Sequence, residues 1–249
     1  MQRKVRIFLN LDEIEIGCQI SINNKNEHYI KNVMRLKKND RIFIFNKKAE
    51  WVAEIFNLSP CIIIPERLVR MLEVENREII AIICPIKSKR MQILIEKIIE
   101  IGINGMIFAR SKNTVINEIN TKKFDSWINE ATEQSEQIRH AEIIYLPELN
   151  LNLNQLANLT TTINAISHEL IIVFDKRGHD IFSKEIATKI ESISRIYFII
   201  GPEGGFSISE IEYFKSRSNI IICKLCETNL RAETAATVAA YTLRNYHLS

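Results

Sequence analysis

Glycine is scarce in this chain, seven in 249 residues, and three of the seven (Gly201, Gly204 and Gly205) fall within five positions. An apolar strand-like stretch, Ile196 to Ile200, runs straight into them. Behind them, Ser207-Ile208-Ser209-Glu210 has the Ser-x-x-Glu form of a capping box, which opens a helix. The Gly-Pro-Glu-Gly-Gly turn therefore sits at the carboxyl end of a strand and at a helix N-terminus, the edge at which open α/β sheets bind ligands. Glycine lets a backbone approach a ligand closely and adopt positive φ, and the first N–H groups of a helix are free donors. The turn has neither the Lys-Ser/Thr of a P-loop nor the Gly-x-Gly-x-x-Gly of a dinucleotide turn. Mechanics alone leaves two readings, a ligand-contacting turn of unspecified ligand or a bare strand-to-helix turn.

A second stretch repeats the pattern. The apolar run Ile220 to Cys223 leads into Leu225-Cys226-Glu227-Thr228-Asn229-Leu230, and a helix begins near Arg231 with Thr228 or Asn229 as its cap. Its small residues, Ala232, Ala235, Ala236, Ala239 and Ala240, admit another backbone at close range. Arg231 beside a helix N-terminus opposes the helix dipole, which an anionic partner would offset.

The rest of the chain divides near residue 74. Residues 1–73 alternate short apolar runs (Val5 to Leu9, Arg41 to Phe45, Trp51 to Phe56, Cys61 to Ile64) with polar breaks and one helix, Glu27 to Arg35. This is the pattern of a small β-rich barrel or sandwich. Residues 74–249 alternate strands at Ile79 to Cys84, Met106 to Ala109, Ile143 to Leu146 and Leu170 to Phe174 with helices at Ser88 to Ile101 and Lys122 to Arg139. Such alternation predicts a mostly parallel α/β sheet with covered faces. Residues 1–73 carry 13 Lys and Arg against 9 Asp and Glu, whereas residues 74–249 carry 20 against 21. The basic excess fits a polyanionic partner held by the N-terminal part, and equally a solvated basic face. No apolar run reaches the ~18 residues of a membrane span, and the basic start Arg3-Lys4-Val5-Arg6 lacks the apolar stretch of a secretory signal. Five scattered cysteines read as cytoplasmic thiols. Cys223 and Cys226 lack a second pair to complete a zinc site, so no metal is expected.

Phe198 to Ser207, followed about twenty residues later by Leu230-Arg231-Ala232-Glu233-Thr234-Ala235, resembles the RsmE family of ribosomal RNA small subunit methyltransferases. Four further segments resemble the family in order: Arg6-Ile7-Phe8, Glu27 to Leu36, Lys97 to Gly102 and Glu133-Gln134-Ser135. Departures fall at Glu136 and Gln137, where the family usually has Gly-Arg, and at Cys226, where it usually has Gly. The resemblance implies a SPOUT-type parallel sheet with a C-terminal trefoil knot, preceded by a PUA-like RNA-binding domain. The activity it implies is methylation of N3 of a uridine in small-subunit ribosomal RNA, naked or in the assembled subunit, by a homodimer using S-adenosylmethionine.

It implies cofactor contacts at Phe174, Ile200, Gly201, Pro202, Gly204, Gly205, Leu225, Leu230, Thr234 and Ala235. Arg231 is expected to do electrostatic work on phosphate or on the uridine anion, with Glu203 and Glu233 as base or positioning carboxylates. Arg3, Lys4, Arg6, Lys31, Arg35 and Arg139 are the expected RNA contacts. Rival readings are a knotted methyltransferase of another RNA, a non-catalytic RNA-binding or ribosome-assembly protein, and a metal or redox enzyme built on Cys223 and Cys226.

Overall fold

A computed structural model describes residues 5–73, 75–116, 118–149 and 169–246, so Arg3 and Lys4 lie outside the described residues. The chain forms two compact units, Met1–Val74 with Asn129–His140 and Glu75–Ile128 with Ala141–Ser249.

The first unit is built on one five-stranded sheet in the order β1-β3-β4-β5-β2, comprising β1 (Arg6–Phe8), β2 (Ile20–Ser21), β3 (Arg41–Phe45), β4 (Ala49–Leu58) and β5 (Cys61–Met71). Alternation within β3 buries Ile42 and Ile44 completely on the core face. β1 joins β3 in parallel, and the other pairings are antiparallel. Three register shifts in the β4–β5 ribbon bend it around a core of Ile7, Ile30, Ile55 and Ile63. The helix expected over Glu27 to Arg35 is instead a short helix α1 (Asn24–His28), capped by the Asn23 side chain, that widens into a π-helical turn at Tyr29–Val33. Arg35 then turns left-handed at φ 54° and ends it. The wider turn carries Ile30 into the core with no exposure at all.

The second unit holds a six-stranded, all-parallel sheet in the order β11-β9-β10-β6-β7-β8. Its strands are β6 (Glu78–Ile83), β7 (Gly105–Phe108), β8 (Glu142–Tyr145), β9 (Glu169–Asp180), β10 (Arg195–Ile200) and β11 (Ile220–Lys224). All six residues of β10 are buried, which suits a strand covered on both faces. Helices α2 (Ser88–Ile101), α3 (Thr121–Gln134), α4 (Lys184–Glu191), α5 (Ile208–Lys215) and α6 (Ala232–Arg244) complete the described elements. Helices α2 and α6 pack side by side, and α6 also meets β6 and β10. Ala236, Ala239, Ala240 and Leu243 are fully buried on α6, so its small residues are what permit the close approach. After β8 the chain lays down β9, steps inward to β10, and returns past β9 to β11 at the sheet edge. This reversal of direction brings the carboxyl ends of β9, β10 and β11 together.

Helix α3 ends at Gln134, not at Arg139 as its polar pattern suggests, because Glu136 is left-handed at φ 56°. The closing carbonyls find a donor in Arg6, whose guanidinium bonds the oxygens of Thr132 (3.4 Å), Glu133 (3.0 Å) and Gln137 (3.1 Å). Among the described residues, no helix is long and apolar enough to cross a membrane.

Candidate functional site

The glycine turn is closed by its own backbone, with the Gly205 N–H donating to the Pro202 carbonyl at 2.9 Å. Gly205 takes φ +67°, a conformation that favours glycine. A Cβ at Gly201 would lie 3.0 Å from the Phe206 ring, so that position is filled by the ring and leaves backbone facing outward. The expected capping box is present. The Ser207 side chain accepts from the Glu210 N–H, and the Glu210 carboxylate accepts the Ser207 N–H at 2.8 Å. Helix α5 is thus anchored one residue after the turn.

Around this turn lies a cleft of about 650 Å³. Its floor is Ile200 to Phe206. One wall is Phe174, Asp175, Lys176 and Arg177, and the other runs from Lys224 through Leu225, Cys226 and Thr228 to Arg231, Ala232 and Ala235, with Arg90 also on the lining. The first wall exists because β9 bulges. Val173 pairs with Ile222 but His179 pairs with Cys223, so residues 174–178 stand opposite no residue of β11, while Phe174 keeps its pairing with Ile200 on β10. Gly178 lets β9 return, since a Cβ there would sit 2.4 Å from the Ile222 carbonyl carbon and oxygen.

Arg177 grips Asp175 through two bonds of 2.7 Å and also donates to the Phe206 carbonyl at 3.2 Å, tying the β9 wall to the end of the glycine turn. Burial works to raise the Asp175 carboxyl, but the Arg177 side chain and backbone N–H outweigh it and hold the group below its ordinary value. Arg90 faces Glu203 at 3.4 Å.

The cleft brings together eleven of the residues singled out from sequence: Phe174, Ile200, Gly201, Pro202, Glu203, Gly204, Gly205, Leu225, Leu230, Arg231 and Ala235. Two others are not on its lining. Ala232 and Ala235, three apart, share the cleft-facing side of α6, which turns Glu233 and Thr234 elsewhere. Thr234 is exposed, while the Glu233 Oε2 is buried and has no hydrogen-bond partner among the described residues. The expected cap by Thr228 or Asn229 is also corrected, because Arg231 itself occupies the N-cap position and no side chain caps it.

The expected RNA contacts separate as sharply. Arg6 is 5% exposed and its Nε lies 2.6 Å from Glu50, so it is spent inside the first unit and cannot be a phosphate contact. Lys31 is half-buried and pairs with Glu27 at 2.7 Å. Arg35 is exposed and Arg139 half-buried. The Glu133-Gln134-Ser135 segment has an internal task, since Glu133 Oε1 accepts the Phe8 N–H at 3.0 Å. Cys223 is buried and Cys226 exposed on the cleft, and among the described residues no cluster of His, Cys, Asp and Glu could hold a metal ion.

Sequence reading missed Arg90, Asp175, Lys176 and Arg177. One signal was available, the polar Asp-Lys-Arg-Gly break at the end of an apolar strand in a chain with few glycines.

A parallel sheet whose strand ends hold a glycine-floored cleft, apolar within and charged at its walls, defines an α/β enzyme that binds a small organic cofactor. The chain belongs to the RNA methyltransferase family, whose domain model matches residues 73–244, and the PUA domain model of RNA methyltransferases matches residues 22–64. The chain is 28% identical to the ribosomal RNA small subunit methyltransferase E of Rickettsia conorii, over 95% of this chain and 96% of that protein. The protein of the same name from Buchnera aphidicola subsp. Schizaphis graminum is 28% identical, over 96% and 94%. A crystal structure of the Neisseria gonorrhoeae ribosomal RNA small subunit methyltransferase E bound to S-adenosyl methionine shares the fold, with TM-score 0.74 at 18% identity over 97% of each chain.

Proposed function

We propose that this RNA methyltransferase transfers a methyl group from S-adenosylmethionine to N3 of a uridine in small-subunit ribosomal RNA. The observation that carries this reading is the cleft at the ends of β9, β10 and β11, floored by Gly201 to Gly205 and edged by the exposed Arg231. The names of the full-length relatives support the substrate, and the ligand of the Neisseria gonorrhoeae structure supports the cofactor. The residues present fit that cofactor. Phe174, Ile200, Leu225 and Leu230 offer apolar surface, and Gly201 presents bare backbone. The order in which β9, β10 and β11 are laid down is compatible with a SPOUT trefoil knot, which belongs to the same proposal together with a homodimer and a cytoplasmic location.

When bound, S-adenosylmethionine supplies an electrophilic methyl group. Uridine N3 becomes a nucleophile only once its proton is lost, so the chain must accept that proton and hold N3 in line. Of the two carboxylates expected from sequence, Glu203 is the one on the cleft, and it is assigned the proton. Arg231, exposed on the same cleft, stabilises the negative charge left on the uracil ring.

Substrate RNA has a basic track on the second unit as well as on the first. Lys87 and Lys89 flank the start of α2 beside Arg90, Lys122 and Lys123 open α3, and Lys123 Nζ lies 3.0 Å from Ser88 Oγ. Among the described residues none of these four lysines pairs with a carboxylate, which suits a phosphodiester leading into the cleft past Arg90.

The test is to incubate small ribosomal subunits from a strain lacking this activity with the purified protein and S-adenosylmethionine, then digest the RNA and analyse nucleosides by mass spectrometry. Appearance of 3-methyluridine is the expected result. Methylation at another position or of another base would overturn the N3 assignment, and absence of both methylation and cofactor binding would favour a non-catalytic RNA-binding role.

A further inference from the structure

We propose that Asn113 is a positioning residue for the cofactor: from outside the cleft, its side-chain amide holds the glycine turn in its binding shape. The inference rests on the cofactor assignment above. Asn113 is absent from the cleft lining, so its action is through the turn.

The segment after β7 folds back on itself. The Ser111 N–H donates to Thr114 Oγ1 at 2.9 Å, and the Thr114 N–H to the Ser111 carbonyl at 3.1 Å. From this small loop, bonds reach the second half of the glycine turn and the first turn of α5. Asn113 Nδ2 donates to the carbonyls of Gly205 (3.0 Å) and Gly204 (3.4 Å). The Lys112 N–H donates to Glu210 Oε1 at 3.0 Å, and Lys112 Nζ reaches Ser209 Oγ at 2.7 Å. The other Glu210 oxygen already takes the Ser207 N–H and hydroxyl, so Glu210 is shared between the α5 cap and the brace. The turn also closes sterically on Asn113, because a Cβ at Gly204 would lie 3.3 Å from the Asn113 Cβ.

Two adjacent glycines have more backbone freedom than any other pair, and fixing them costs entropy. A trans peptide points its C=O and N–H in opposite directions. With its carbonyl held by Asn113, the peptide between Gly204 and Gly205 turns its N–H toward Pro202, where it makes the 2.9 Å bond that closes the turn. The carbonyl of Gly205, likewise held, directs the Phe206 N–H away from Asn113. The brace therefore sets two successive peptide planes before any ligand arrives, which lowers the ordering cost at binding. The consequence falls first on cofactor affinity, and any effect on the chemical step passes through Glu203, which lies in the same turn.

The experiment compares Asn113→Ala, Asn113→Asp and Asn113→Gln with the unsubstituted protein, using S-adenosylhomocysteine in calorimetry and hydrogen exchange of the 202–207 segment in the unliganded protein. Asn113→Ala is expected to weaken affinity about fivefold, in line with loss of a net ~1 kcal/mol bond. Asn113→Asp should weaken it further, because a carboxylate then faces two carbonyl oxygens, and Asn113→Gln, which keeps the donor, should recover part of the loss. Exchange in the segment should quicken in the Ala and Asp variants, and KM for S-adenosylmethionine should rise in step with the calorimetric loss, whatever change in kcat accompanies it through Glu203 in the same turn. Equal affinity and equal exchange across the series would overturn the proposal, as would a loss of kcat and melting temperature at unchanged affinity. Failure of the cofactor reading looks different, because the unsubstituted protein would then bind no S-adenosylhomocysteine, and the exchange comparison alone would decide the brace.

Discussion

Replacing Arg6 by Ala separates two roles that its sequence position could not distinguish. The guanidinium is buried against Glu50 at 2.6 Å, donates to three carbonyls between Thr132 and Gln137, and lies 4.3 Å over the Phe45 ring. Breaking a buried ion pair from one side costs about 3–5 kcal/mol. Glu50 retains Arg70 at 2.7 Å, a side chain 47% exposed, so the low end of that range, about 3 kcal/mol, is expected. If the whole chain unfolds together, this lowers the melting temperature by roughly 6–12 °C, and more if the first unit unfolds alone. The assay is thermal and urea denaturation of Arg6→Ala, with RNA affinity measured in parallel across a salt series. A phosphate contact predicts the opposite pattern, intact stability and a salt slope shallower by about 0.7–0.9. That result would refute the assignment of Arg6 to the interior.

Four further outcomes follow from the second unit and the cysteines. Gly178→Ala forces a Cβ into the Ile222 backbone, so it should cost about 2–3 kcal/mol in urea unfolding and weaken S-adenosylhomocysteine binding; full retention of both would contradict the β9 bulge as drawn. In the native protein the two exposed thiols, Cys226 and Cys18 (raised by its bond to Glu15 but open to solvent), should react with a disulfide reagent while the three buried ones stay slow, since burial pushes Cys84 and Cys223 up to about 12 and raises Cys61. Saturating S-adenosylhomocysteine should protect Cys226 and not Cys18. Because the Asp175 carboxyl is held below its ordinary value, its contribution to stability is complete above the usual carboxylate range and is lost as pH falls through the lowered value. The acid limb of urea midpoint against pH should accordingly flatten in Asp175→Asn, and an unchanged limb would show the Arg177 contact to be idle. Lys87→Ser with Lys89→Ser should weaken RNA binding and reduce the salt slope by up to about 1.4–1.8 while leaving cofactor affinity alone; an unaltered slope would remove α2 from the RNA path.

Local rules carried the sequence reading as far as they act. The helix Ser88–Ile101 and the strand Arg41–Phe45 lie where periodicity puts them, because amphipathic spacing reports directly on a buried face. The Ser207–Glu210 capping box is equally legible, since both partners sit within four residues. The glycine turn, recognised from its composition, does line a cleft together with the loop before Arg231.

What local rules could not supply is anything decided by a partner far along the chain. The strand expected over Leu170 to Phe174 continues as β9 to Asp180, because β11, more than forty residues later, takes it up again beyond Gly178. Arg6 read as a surface cation because its companions Glu50 and Glu133 lie 44 and 127 positions away. Residues 74–249 are nearly neutral in sum, yet folding gathers Lys87, Lys89, Lys122 and Lys123 near the cleft residue Arg90. Burial and charge placement are set by which segments the sheet brings together. The sequence by itself therefore determined most of the elements, the family and the glycine turn, and the tertiary structure decided where several elements end, which charges face the cleft and which are enclosed.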